Sequence, residues 1–495
     1  MDQMAPIAHP DKIFVDGEWS APASNTRIEV LDSATEEPFA YVPEAQVEDV
    51  DKCVAAARRA FDSGPWPRMT HAERAVFLER IGREFDKRAT DIASIWTREA
   101  GFVHSASQPS AMMLSSTFDY YASLAQTFPF EEQRPTSPYS ANVGLLVREP
   151  VGVVAAIIPW NGAASLIGWK CAPALLAGCT VVLKASPEAP GACYIFAECC
   201  EAAGLPPGVV NVITADREVS ESLVRHRGVD KVTFTGSTAA GRKIASICGD
   251  RIARCTLELG GKSPALICDD YDLSLAAETI ATSARMLTGQ VCMSLTRLIV
   301  TERRHGAFVE ALAASFGSTL VGDPFDESTQ MGPLASARQR ERVEGHIQRA
   351  KNDGIQLALG GGRPAGLNRG YYVEPTIFSG VGNDAAIARE EVFGPVLTVI
   401  PAKDEQDMLR MANDTAYGLN ASVFTEDVDR AYHFARELRS GTVGHNALRT
   451  DFALAFGGFK QSGIGREGGI EGLMPFLETK AILIDGLPSH LSRSA

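Results

Sequence analysis

The sequence predicts an α/β protein with two parallel-sheet domains and a small β arm, and three observations carry that expectation. At 495 residues and 45% hydrophobic content, the chain exceeds the size at which one core stops growing, so at least two packed domains are expected. From Val151 onward, β-branched runs (VGVVAAII, TVVLK, GVVNVI, DKVTFT) alternate with helix-length stretches such as Ala163 to Ala177 and Ala189 to Ala203. That alternation is the pattern of a parallel sheet covered on both faces. A second alternating block starts near Lys262 and continues through RLIVTE, HGAFVEALAASF, PVLTVI and ASVFTE, which predicts a second α/β unit.

Taken in chain order, Val50, Cys53, Val54, Ala57 and Phe61 fall at helical spacing, and Gly64-Pro65 punctuates the end. The N-terminal third therefore reads as helix-rich. The proline-rich FPFEEQRPTSPYS then leads into the extended NVGLLVREP, and TKAILID is a short β-like run near the C-terminus. Each of the last two is a strand in need of a partner. Together they read as an arm for oligomerisation, with a surface hairpin and a frayed tail as the plainer alternative.

Composition narrows the function. The 61 acidic against 47 basic residues, a formal charge of -14, argue against nucleic acid or an anionic membrane as the main partner. The longest apolar runs, such as Val151 to Ile158, stop at Pro159, far short of the ~20 residues a membrane-spanning helix needs. The opening MDQMAPIAHPDKIFVDGEW lacks the basic and apolar regions of a signal peptide, so a soluble, cytoplasmic protein is expected. The 10 cysteines include no CxxC pair and the 9 histidines no HExxH or HxxxH spacing. Neither a disulfide framework nor a metal site is expected.

Several segments have the composition of a reactive site. In FTGSTAAGRKI a β-like run meets Gly236 and Ser237 before a helix-compatible stretch. Such a junction presents backbone N–H groups to a phosphate, although an ordinary βα turn looks the same. In TGQVCMSLTR, Cys292 is a nucleophile or a small buried hydrophobe. In TLELGGKSP, Glu258 precedes a Gly-Gly pair; on the run alone, a solvated strand end is favoured over a buried, tuned acid. In IIPWNGAAS, Asn161 follows a strand stopped by Pro159, where its amide either closes a turn or faces a developing oxyanion.

Together and in order, PWN at 159–161, FTGS at 234–237, LELGGKSP at 257–264, GQVC at 289–292, EEVFGPV at 390–396 and FGGFKQSGIGRE at 456–467 resemble the aldehyde dehydrogenase superfamily. The likeness runs from about Lys12 to Ile484. It implies a Rossmann-like cofactor domain at 1–128 and 149–260, a catalytic domain at 261–461, and an oligomerisation arm at 129–148 and 476–495, in a homodimer or homotetramer. It also implies Cys292 as the nucleophile toward an aldehyde, the Asn161 amide and the Cys292 backbone N–H as oxyanion donors, and Glu258 as the general base that hydrolyses the thioester. Lys170 and Glu467 are implied in the proton path of Glu258.

For the cofactor, the resemblance implies NAD, with NADP kept open. Lys184 is expected at the adenosine ribose with Ser186 beside it, Gly236 and Ser237 at the pyrophosphate, and Glu391 at the nicotinamide ribose. Ile157, Ile158, Trp160, Phe234, Leu259 and Phe393 are expected to wall the cleft. Many members read Lys-Pro-Ser-Glu after the strand, whereas this chain reads Lys184-Ala185-Ser186-Pro187-Glu188, and Arg217 stands where relatives have a glycine-rich turn. Weaker discrimination against NADP is therefore expected.

The aldehyde pocket is expected around Gly162, Ala163, Leu166, Trp169, Met286, Leu287, Val291, Met293 and Phe456, with Arg449 as a charged neighbour that could turn inward. An apolar lining predicts aromatic, terpenoid or medium-chain aldehydes over acidic semialdehydes, whose carboxylate would be costly to bury. The rival readings are an acylating, coenzyme A-dependent semialdehyde dehydrogenase, a cofactor-independent thiol esterase, and a non-catalytic protein on the same fold.

Overall fold

The computed structural model describes residues 5–489; residues 1–4 and 490–495, which the expected first domain and arm include, lie outside them. A sheet of eight strands holds five parallel strands at its centre, in the spatial order Arg254–Glu258, Lys231–Thr235, Val153–Ile157, Thr180–Ala185, Val210–Thr214. The first of these five in sequence, Val153–Ile157, is thus in the middle and the chain winds outward from it in both directions, the doubly wound arrangement of Rossmann-like folds. Alternate residues feed two cores. Val154, Ala156, Val181 and Leu183 pack beneath the helices Ala163–Ala177 and Gly191–Ala203. Val153, Ala155, Val182 and Val232 pack against Val47–Asp62 and Thr238–Asp250.

The second sheet has seven strands in the order Gln356–Leu359, Thr376–Ser379, Val396–Ala402, Leu295–Thr301, Ser263–Ile267, Asn420–Phe424, Thr442–His445. All pairs are parallel except the first. Its faces are covered in the same way, by Leu273–Arg285 and Glu302–Gly317 on one side and Ala337–Asn352 on the other. The chain passes from one sheet to the other between Glu258 and Ser263.

The extended segments expected to form an arm pair with one another. Leu477–Ile484 and Glu131–Arg134 flank Val143–Pro150 in an antiparallel three-stranded sheet. The helix-rich reading of the N-terminal third holds for Val47–Asp62 and the four long helices up to Thr127, but that third also supplies strands. Ile13–Val15 and Glu18–Ser20 close one edge of the large sheet, and Arg27–Leu31 pairs with Pro38–Pro43. A strand of three residues is too short to show a two-residue alternation. Among the described residues, no helix is long and apolar enough to cross a membrane.

Candidate active site

The large sheet's winding reverses between Val153–Ile157 and Lys231–Thr235, and a crevice opens beyond the carboxyl ends of these strands, where such folds bind ligands. Register fixes its rim: Ile157 lies opposite both Lys184 and Phe234, and Thr235 lies opposite Glu258. The cleft, about 540 Å³, is lined by Ile157, Ile158, Trp160, Lys184, Ser186, Arg217, Phe234, Gly236 and Ser237. Ser237 caps the helix Thr238–Asp250, its hydroxyl accepting the Ala240 N–H at 3.3 Å, so the positive end of that helix faces the cleft. Lys184 is 7% exposed and burial lowers its pKa to about 8. Its ammonium donates to no acceptor among the described residues and forms no ion pair with them. A largely buried lysine and a helix N-terminus lining one crevice fit a dinucleotide's ribose hydroxyl and pyrophosphate.

Phe393, Leu259 and Glu391, also expected at the cofactor, lie just beyond this lining. The Trp160 and Phe393 rings meet edge to face, with centroids 5.5 Å apart, and Leu259 is buried behind Phe234 in the same core. Glu391 is held against the Gly-Gly pair, its carboxylate accepting the Gly261 N–H at 3.0 Å. These glycines let three segments converge. A Cβ on Gly261 would come within 2.3 Å of the Cys292 carbonyl and force those segments apart, and one on Gly260 would come within 2.4 Å of the Glu391 carboxylate and displace it.

Cys292 lies in the loop between Leu273–Arg285 and Leu295–Thr301. Ahead of it, Leu287, Thr288 and Gly289 all have left-handed backbones (φ 49°, 55° and 72°), a conformation that costs side-chain-bearing residues energy and needs support. Gln290 gives that support. Fully buried, it donates to the Ala100 and Leu287 carbonyls at 3.2 and 2.9 Å and accepts the Ala335 N–H at 2.9 Å. Its own carbonyl accepts the Asn161 side-chain amide at 2.9 Å, and Trp96 donates to the Asn161 carbonyl at 2.9 Å. An amide nitrogen has two hydrogens, so Asn161 is anchored to the cysteine loop by one and keeps the other. Burial, then the nearby Glu391 and Glu258 carboxylates, push the Cys292 thiol up to about 12 against its own and the Met293 backbone N–H.

Glu258 corrects the reading of its run as a solvated strand end. It ends Arg254–Glu258 but is 3% exposed, and neither carboxylate oxygen has a hydrogen-bond partner. The next strand and the C-terminal motif cover the end that a sequence pattern leaves open. Burial first, and Glu467 second, hold its carboxyl well above the usual range. Glu467 is bonded to the fully buried Lys170, and Thr233 donates to the same oxygen at 3.2 Å. Glu258, Glu467 and Lys170 thus form one buried acid–acid–base group.

Of the expected pocket residues, Trp169 and Phe456 pack edge to face at 5.0 Å, and Leu166, Met286, Leu287 and Val291 join the core under the first sheet. Gly162 precedes the helix Ala163–Ala177, whose first residue, Ala163, is buried, and Met293 is half-buried beside Cys292. Arg449 does not turn inward: it is exposed, and its guanidinium donates at 3.2 Å to the carbonyl of His445, at the end of the preceding strand. Residues that the sequence did not single out include Gln339, which donates to the Phe393 carbonyl at 2.7 Å, and Arg342, which donates to the Glu391 carbonyl at 2.8 Å. No motif marks them; Gln290, by contrast, stands inside the quoted GQVC. Among the described residues no cluster of three or more His, Cys, Asp or Glu is placed to hold a metal ion.

The sequence signature of the aldehyde dehydrogenase family matches residues 19–482. Geranial dehydrogenase of Castellaniella defragrans is 42% identical over 96% of this chain and 98% of its own, and peroxisomal aminoaldehyde dehydrogenase 1 of Malus domestica is 38% identical over 95% of each. Among solved structures, a cysteine-to-alanine variant of aldehyde dehydrogenase C from Pseudomonas syringae, in complex with NAD+ and octanal, superposes with a TM-score of 0.93 at 36% identity, covering 99% of each chain. A match that spans nearly the whole chain, on a doubly wound sheet whose carboxyl ends meet a cysteine loop, places the protein: the chain belongs to the aldehyde dehydrogenase family.

Proposed function

We propose that the chain oxidises an apolar aldehyde to its carboxylic acid through a thioester on Cys292, with NAD as cofactor. The observation that carries this reading is the buried, unpartnered carboxylate of Glu258 beside the strained loop that presents Cys292. Lys184, Ser237 and Glu391 would hold the dinucleotide, which supplies the hydride acceptor when bound. The Cys292 thiol gives up its proton to solvent, Sγ bonds to the carbonyl carbon as the C=O π pair moves onto oxygen, and the free N–H of Asn161 and the Cys292 backbone N–H stabilise that oxyanion. Once the aldehyde carbon has lost its hydride, a thioester remains. Glu258 takes a proton from the water that cleaves it, a task suited to a carboxyl raised by burial, and Glu467 with Lys170 carries that proton away.

The edge-to-face Trp169–Phe456 pair and the absence of an inward-facing charge at Arg449 favour terpenoid, aromatic or medium-chain aldehydes. The geranial dehydrogenase relative and the octanal-bound neighbour lend support. The aminoaldehyde relative favours a second reading, since aromatic rings also receive ammonium groups. A panel of citral, octanal, benzaldehyde, betaine aldehyde and succinic semialdehyde with NAD tests both. The proposal expects the highest kcat/KM among the first three; a preference for betaine aldehyde supports the second reading, and one for succinic semialdehyde contradicts both.

A further inference from the structure

Pro187 stands where a Lys-Pro-Ser-Glu turn would carry its acid, and Glu188 follows it. The turn folds back, the Ala189 N–H donating to the Ser186 carbonyl at 3.2 Å, and returns the displaced carboxylate to the cleft. One oxygen of Glu188 accepts the Ser186 hydroxyl and the other accepts the Arg338 guanidinium. Arg338 belongs to the helix Ala337–Asn352, which packs on the second sheet. An ion pair therefore crosses the adenosine end of the cleft from one sheet's domain to the other.

The charges around it are unevenly matched. Lys184, Arg217, Lys243 and Arg338 line the cleft with Glu188, Asp216 and Glu221. Glu221 pairs with Lys243 and also with Arg225 outside the lining, and Glu188 is taken by Arg338. Among the described residues, no ion pair holds Lys184 or Arg217, and Lys184 is 93% buried by its 7% exposure. A free Glu188 would accept ribose hydroxyls and repel a phosphate. Bonded to Arg338, it loses most of that repulsion. The guanidinium's planar fork also matches phosphate oxygens. With the Arg338 side chain 72% exposed, moving it from the carboxylate to a ligand costs little.

We infer that Arg338 is a cofactor-selectivity residue, which neutralises Glu188 and, together with Arg217, receives the 2′-phosphate of NADP. This rests on the proposed reading of the cleft as the dinucleotide site. Equilibrium titration of the full-length protein with NAD and with NADP, by calorimetry, tests it without turnover. Wild type is expected to bind NADP within about a hundredfold of NAD, and R338Q to weaken NADP at least about threefold more than NAD. E188Q is expected to do the opposite and tighten NADP, because it frees the guanidinium. A pair that merely braced the two domains would make R338Q and E188Q act alike. That result would overturn the inference, as would NADP binding weaker than a hundredfold below NAD or an R338Q effect equal on both dinucleotides. Wild type binding neither dinucleotide would instead overturn the reading of the cleft itself.

Discussion

At the scale of single residues, the proposed chemistry turns on a buried carboxyl to which no described residue donates a hydrogen bond. Glu258 must lose its proton to act as a base, and burial with Glu467 nearby opposes that loss. Its pKa is raised, so the base form grows in only as pH climbs above the usual carboxylate range. When hydrolysis limits turnover, kcat should rise with pH well beyond pH 5, and a profile already flat from pH 5 upward would contradict this role. Asn161 makes a second residue-scale case. N161A should lower kcat by about 10²–10³-fold while NAD binding measured by titration stays close to wild type; an unchanged kcat would remove Asn161 from the oxyanion site. Cys292, Glu258 and Asn161 were legible as candidates because each stands inside an ordered motif. What the sequence hid was their setting. The partners of Gln290, Ala100 and Ala335, come from distant parts of the chain, and the cover over Glu258 comes from Gly457 and Gly463, some two hundred positions later.

At the scale of elements, the site depends on a left-handed loop and on anchored helix ends. Gly289 has φ 72°, and a Cβ there would stand 2.4 Å from the Gly394 carbonyl. G289A should cost about 1–2 kcal/mol for the backbone alone, more for the clash, and displace Cys292; thermal unfolding and the rate of thiol labelling should both change, and a variant unchanged in both would contradict the loop's role. Glu99, on Ala89–Ala100, accepts the Gly191 N–H at the start of Gly191–Ala203, and burial raises its pKa to about 8. A raised acid favours the folded state most below its unfolded pKa and loses that contribution as pH rises toward about 8. E99Q, which keeps an acceptor but no titration, should flatten the fall in Tm between pH 5 and 8; an identical slope would contradict it. The long parallel strands were readable as β-branched runs between helices. Gly463–Ile464, which adds an antiparallel edge beside Glu258, was not, because two residues carry no period and pair only once the rest has folded.

At the scale of the whole molecule, the three-stranded sheet leaves the outer edge of Leu477–Ile484 without a neighbouring strand among the described residues, and Leu483 on it is 58% exposed. Unpaired edges of this kind invite another chain, so we expect a dimer or tetramer by light scattering, with L483K shifting the distribution to smaller species. A monomer at micromolar concentration would contradict the oligomerisation arm. The two domains meet where the Gly260–Gly261 pair, Cys292 and Glu391 converge, and the account stands or falls on the covalent bond formed there. The direct test is mass spectrometry of E258Q mixed with NAD and octanal and quenched in acid: the account predicts an octanoyl group on the peptide containing Cys292, whereas an unmodified Cys292 with acid still released, or an adduct on another cysteine, would contradict it.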